Sequence, residues 1–270
     1  MPDDMRGGVP IHWREMGRGA DPALLIHCSL AHSGAWKGVA AALDDRLAMQ
    51  AFDLPGHGKS GDWDGATMYQ DVVCDVGDDF LDAMSARGPV HLIGHSFGAT
   101  AALRLAARET RGRIASLTLI EAVFFGVALA DGTASVDPDG EFNRLLADGR
   151  MEEAARAFHA DWGDGRDWAA MEPHQRDALI SRMPLIAAVQ VSNNGDPEGI
   201  LARGLIAAMP VPTLLIEGAE SPPHITRIHE GLDRRIPDSR RVVIAGAAHM
   251  APITHPVPVA ASIRGFLDQP

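Results

Sequence analysis

Four short apolar runs punctuate the first 120 positions, at residues 23–27, 47–53, 90–93 and 114–120. Each is about the length of a strand buried on both faces. A fifth segment, residues 10–15, alternates apolar and polar positions and reads as a strand with one exposed face. Between the runs, apolar residues recur every three or four positions. Trp36, Val39 and Leu43 mark a helix over 34–43, and Val72, Val73, Val76, Phe80, Leu81 and Met84 mark another over 68–85. An Ala/Leu-rich stretch at 101–107 reads as a third. The rhythm changes after residue 121. From 122 to 207 no convincing strand occurs, whereas 141–146, 151–162 and 173–191 carry helical spacing, separated by turns rich in Asp, Gly and Pro. Alternation then resumes: a strand at 211–216, a helix at 223–232, a strand at 241–244 and a closing helix at 257–267. The pattern predicts an α/β fold in which a mostly parallel twisted sheet is flanked by helices. Residues 1–121 and 208–270 form its core, and 122–207 form an inserted helical cap.

The sharpest turn follows the strand at 90–93. Gly94-His95-Ser96-Phe97-Gly98 joins the strand to the Ala/Leu-rich helix, so a serine sits at a strand–turn–helix junction between two glycines. Such a turn holds a serine hydroxyl clear of the sheet at a helix N-terminus. A free serine is too weakly acidic to attack a substrate, so Ser96 as nucleophile requires a base within hydrogen-bond reach. His249, in a loop of small residues after the last strand, is the best of the 12 histidines for that role.

Composition narrows the field. The chain has 270 residues, enough for one large domain, and 46% of them are hydrophobic. With 24 Lys and Arg against 36 Asp and Glu and no basic run, the sequence predicts neither nucleic acid nor a membrane as partner. Two cysteines, Cys28 and Cys74, are too few for a disulfide framework. Together with an N-terminus lacking an apolar run, they predict a reducing, cytoplasmic setting. No His/Cys/Asp/Glu group has metal-ligand spacing and no glycine-rich segment has a phosphate-loop context, so no metal or cofactor is expected. Oligomeric state is not readable.

The order of elements and four separated motifs resemble the α/β-hydrolase fold superfamily, in its serine-nucleophile branch with a helical cap. Gly94–Gly98 is similar to that fold's nucleophile elbow. Asp53-Leu54-Pro55-Gly56-His57-Gly58-Lys59-Ser60 is similar to its Asp-x-x-Gly-x-Gly-x-Ser turn, and Gly246-Ala247-Ala248-His249 to the loop presenting the catalytic histidine. His27-Cys28-Ser29-Leu30 lies where such proteins have His-Gly-x before an oxyanion residue, with Cys28 in place of glycine. The resemblance implies an oxyanion hole formed by the amides of Phe97 and Ser29, or of Leu30 in a shifted register. It implies a structural role for Asp53 and His57. The usual acid position, in Gly-x-x-Asp, is Gly218-Ala219-Glu220-Ser221 here, so a serine replaces the aspartate. Two carboxylates compete for the vacant role: Glu121, directly after the strand at 114–120, and Glu220. A fixed strand end favours Glu121.

The resemblance then implies a serine hydrolase acting on an ester or related acyl bond of a small molecule. Carbon–carbon bond hydrolysis, lactone opening, acyl transfer and a low-turnover ligand receptor are the alternatives on the same scaffold. Phe125, Trp162 and Met183, with Phe124, Phe158, Leu185 and Ile186, are the expected pocket residues of the cap, and their chemistry suggests a mainly apolar substrate.

Overall fold

The computed structural model describes residues 3–134 and 140–269. Positions 135–139, within the expected cap, lie outside the described residues. The strands are β1 (Asp3–Arg6), β2 (Val9–Met16), β3 (Asp21–Ile26), β4 (Leu47–Phe52), β5 (Val90–His95), β6 (Ile114–Ile120), β7 (Thr213–Gly218) and β8 (Ser239–Ile244). They form one sheet in the order β1-β2-β4-β3-β5-β6-β7-β8. β1 and β2 join antiparallel, β2 meets β4 antiparallel, and the other pairs are parallel.

Alternation of side chains across β3 explains its continuous apolar run. Leu24 and Ile26 enter one core and Ala23 and Leu25 the other. The first core is closed by α2 (Tyr69–Met84) and α3 (Phe97–Arg108), the second by α1 (Lys37–Ala42) and α11 (Pro256–Leu267). The chain runs from β3 to β4 on one side and resumes with β5 on the other. The strand order thus reverses at the C-terminal ends of β3 and β5, where open α/β sheets place their ligands.

Between β6 and β7 the described residues contain helices and no strand: α4 (Phe125–Ala130), α5 (Glu141–Ala147), α6 (Met151–Trp162), α7 (Pro173–Ser181) and α8 (Met183–Asn194). The helix expected over 173–191 is two helices, broken at Arg182. Pro184 has no N–H to continue the first and is tolerated in the opening turn of the second. α4 and the strand β1 are additions to the expected pattern, as is α10 (Ala251–Thr254); each is six residues or fewer, too short to show a period. α9 (Pro223–Asp233) follows β7 as expected.

Candidate active site

Ser96 occupies the junction of β5 and α3 with φ 55° and ψ −119°, a strained conformation for a non-glycine residue. Its amide is held by Ile120 O at 2.8 Å, and its carbonyl accepts from Ala99 N at 2.9 Å. The flanking glycines are required by space. A Cβ on Gly94 would stand 2.3 Å from Gly98 O, and one on Gly98 would stand 2.3 Å from Ile26 O. The turn is therefore pressed against the end of β3, and Ser96 is directed to the sheet's C-terminal edge.

His249 arrives at the same edge from the loop after β8. Its Nδ1 lies 3.1 Å from Glu121 Oε2 and its Nε2 2.9 Å from Ser96 Oγ. An ionised carboxylate can only accept, so Nδ1 carries the proton. Nε2 is left as an acceptor for the Ser96 hydroxyl. The ring's position is further set by the His249 carbonyl, which accepts from His95 Nε2 at 2.8 Å.

Glu121 follows β6 and is itself in the left-handed region, at φ 54°. Bonds on either side hold it there: its own amide donates to Ile216 O at 2.9 Å, and the Ala122 amide donates to His229 Nε2 at 3.0 Å. Oε1 accepts from Gly218 N at 2.5 Å and from the Ser221 hydroxyl at 2.7 Å. The serine standing at the usual acid position thus orients a carboxylate that comes from another strand. Burial pushes the Glu121 carboxyl up, but its bonds to His249, Ser221 and Gly218 outweigh burial and hold it below the ordinary carboxylate range. Glu220 is exposed, Glu217 is paired with Arg241 at 2.7 Å, and Glu121 is the glutamate that meets His249.

The amide of Phe97 opens α3 and is among the four helical N–H groups without an intrahelical partner. The Leu30 amide is spent, donating to His57 Nε2 at 3.0 Å. Ser29 lines the cavity. Cys28 also lines the cavity, but burial raises its thiol to about 12, so it stays protonated and unreactive. Asp53 closes its turn through Ser33 N and Lys59 N, at 2.6 and 2.9 Å.

Sequence reasoning did not single out how many buried imidazoles support this edge. His27 Nε2 accepts from Leu54 N at 2.9 Å, and His57 and His229 accept the amides already named. His229 shares the buried face of α9 with Ile225, Ile228 and Leu232, and a histidine at that spacing was the available signal. Burial depresses His27 and His95 to about 3 and His57 and His229 to about 4. Unfolded, each would titrate near 6.5. Below that pH the unfolded chain takes up protons that the fold refuses. Stability is therefore intact above pH ~6.5 and falls by up to about 1.4 kcal/mol per histidine per pH unit on the way to ~4. The urea midpoint should drop steeply across that window. A midpoint unchanged between pH 6.5 and 4.5 would contradict the account.

Ser96, Phe97, Ser29 and His249 open onto a cavity of about 930 Å³ between the sheet edge and the helices that follow β6. Phe125 and Trp162 line it. The Trp162 ring stands edge-on to His249, with centroids 4.7 Å apart at 71°. Phe158 and Ile186 line it too. Met183 does not: it is fully buried with Leu145, Ala154, Ala155 and Ile186, filling the helices' own small core. That corrects the expectation of a substrate contact there. Phe124 is likewise buried in the main core, and Leu185 packs against Gly56. Among the described residues no group of three or more His, Cys, Asp or Glu could hold a metal, and no helix is long and apolar enough to cross a membrane.

Residues 23–262 match the model of the alpha/beta hydrolase family. The chain is 30% identical over 271 residues to the pimeloyl-[acyl-carrier protein] methyl ester esterase of Methylococcus capsulatus, covering 93% of this chain and 96% of that one. A protein of the same name from Edwardsiella ictaluri is 24% identical, with 96% and 97% covered. Among solved structures, the enol-lactonase from Burkholderia xenovorans superposes with a TM-score of 0.76 at 20% identity, covering 99% of this chain and 100% of that one.

Proposed function

The chain belongs to the alpha/beta hydrolase family and is a serine hydrolase of carboxylic ester type, and from that premise we propose how its residues share the work. Ser96 is the nucleophile, His249 the base and Glu121 the acid that orients it. The observation that carries the reading is the unbroken chain of bonds from Glu121 through His249 to Ser96 at the mouth of the cavity. Ser96 Oγ bonds to the ester carbonyl carbon as its proton passes to His249 Nε2. Charge develops on the carbonyl oxygen, where the amides of Phe97 and Ser29 receive it. Glu121 stabilises the imidazolium without taking its proton. Collapse of the tetrahedral species breaks the bond to the alcohol, which leaves with the proton from Nε2. Water, activated by the same nitrogen, then frees the carboxylic acid and restores Ser96.

Residues 122–207 serve as a cap over this centre, holding Phe125 and Trp162 against the substrate and excluding water. The substrate is an ester, part of which enters the cavity. The names of the relatives make the methyl ester of an acyl chain borne on an acyl-carrier protein the first physiological candidate.

The test pairs release of p-nitrophenol from short and medium acyl esters with labelling by a fluorophosphonate, mapped by peptide mass spectrometry. The expected result is turnover that is lost on labelling, with the adduct on the Ser96 peptide. An adduct elsewhere, or full activity after stoichiometric labelling, would overturn the assignment. Running the reaction with an added alcohol separates hydrolysis from acyl transfer by its products.

A further inference from the structure

One wall of the cavity departs from the apolar lining expected of the cap. α8 faces the cavity with Ile186, Val189, Gln190, Asn193 and Asn194, which recur at three- and four-residue intervals and so share one helical face. Along that face the chemistry changes within two turns, from aliphatic to carboxamide. Across from it, Asn143 of α5 also lines the cavity and accepts from Gln190 Nε2 at 2.9 Å. A core that needed only volume would place leucine or valine at these positions. Carboxamides that border a cavity offer donors and acceptors to whatever occupies it.

None of these five residues of the α8 face is charged. Arg182, at the start of α8, donates to the carbonyls of Gly56 and Ala178, both at 3.2 Å. Arg104 donates to the carbonyl of Ser192 at 2.7 Å. Arg104 also pairs with Glu198 at 3.5 Å. The carboxamides lie in the last turns of α8, where the helix presents the negative end of its dipole, so a carboxylate is disfavoured there.

We infer that this wall is a specificity subsite: the ester substrate carries an uncharged hydrogen-bonding group, a hydroxyl or carboxamide, separated from the scissile bond by a short aliphatic stretch. The aliphatic stretch lies along Ile186 and Val189, and the polar group meets Gln190, Asn193 and Asn194. This deepens the esterase reading and rests on it for the position of the scissile bond. A site built to hydrogen-bond rejects an analogue lacking the group far more strongly than an apolar pocket rejects a missing methylene, because the wall's own groups then stay unpaired.

The experiment uses p-nitrophenyl esters of four- to eight-carbon acids ending in methyl, hydroxyl, carboxamide or carboxylate, and acetate esters of the matching alcohols. The expected result is a kcat/KM at least about 10-fold higher for the hydroxyl or carboxamide end than for methyl or carboxylate, at one chain length in one of the two series. Gln190→Leu with Asn193→Leu, which keeps side-chain size, should erase that preference. Equal rates across the four ends in both series, or a preference that survives the double substitution, would overturn the subsite. Calorimetric binding of ethyl 6-hydroxyhexanoate against ethyl hexanoate to Ser96→Ala protein keeps the two claims separate. Selective binding without turnover in the native protein would sink the esterase reading and leave the subsite standing. Turnover with no selectivity would do the reverse.

Discussion

Replacing Ser96 with alanine is expected to lower kcat for any ester the native protein cleaves by about 10⁴-fold or more, with no loss of fold. Cys28, which also lines the cavity, is no substitute, because burial holds its thiol protonated. The amides of Phe97 and Ser29 proposed to receive the oxyanion belong to the backbone and survive the change, so a residual rate above the uncatalysed one is expected. The fold should tolerate alanine. The Ser96 hydroxyl makes one bond, to His249, and the positive φ is imposed by the Gly94 and Gly98 contacts rather than by the side chain. A thermal midpoint within about 2 °C of the native value, together with lost turnover, is the combined outcome to look for. Retention of even a tenth of the native rate would remove Ser96 from the mechanism.

What the sequence made legible follows from which interactions are local. A strand buried on both faces writes itself as a continuous apolar run, and β3, β4, β5 and β6 were readable for that reason. The elbow was readable because Gly94 and Gly98 are four residues apart and both are forced by close backbone approach. The reach of His249 was expected from its loop, but its bond to Ser96 spans 153 positions and only the folded sheet brings it about. Several matters were decided by such distant partners. Met183 has the spacing of a pocket residue, yet it faces Leu145 and Ala154 because α5 and α6 fold beneath it. Of Leu30 and Ser29, the two residues expected to offer an oxyanion amide, Leu30 has its amide engaged by His57, 27 residues away. The carboxamide face of α8 was present in the letters, but nothing local shows that it borders a cavity rather than solvent.

The choice of acid gives the second large effect. Glu121→Gln is expected to cost about 10³-fold or more in kcat while KM changes little, and Glu220→Gln is expected to stay within about 2-fold. The reason lies in how the Glu121 carboxylate is used. Oε1 accepts from Gly218 N and the Ser221 hydroxyl, and Oε2 accepts from His249 Nδ1. A glutamine fills the same space with a single acceptor. If its oxygen turns to Gly218, its NH₂ opposes the Nδ1 proton, the imidazole changes tautomer, and Nε2 can no longer take the Ser96 proton. If its oxygen turns to His249, its NH₂ confronts the Gly218 N–H, and two donors face each other. Either arrangement damages the site, and neither disturbs substrate contacts made by the cap. Glu220 is exposed, so its loss removes only a surface charge. The readout is kcat and KM for one ester across the three proteins. A Glu220→Gln defect larger than that of Glu121→Gln would move the acid to the loop after β7, and with it the role assigned to Ser221.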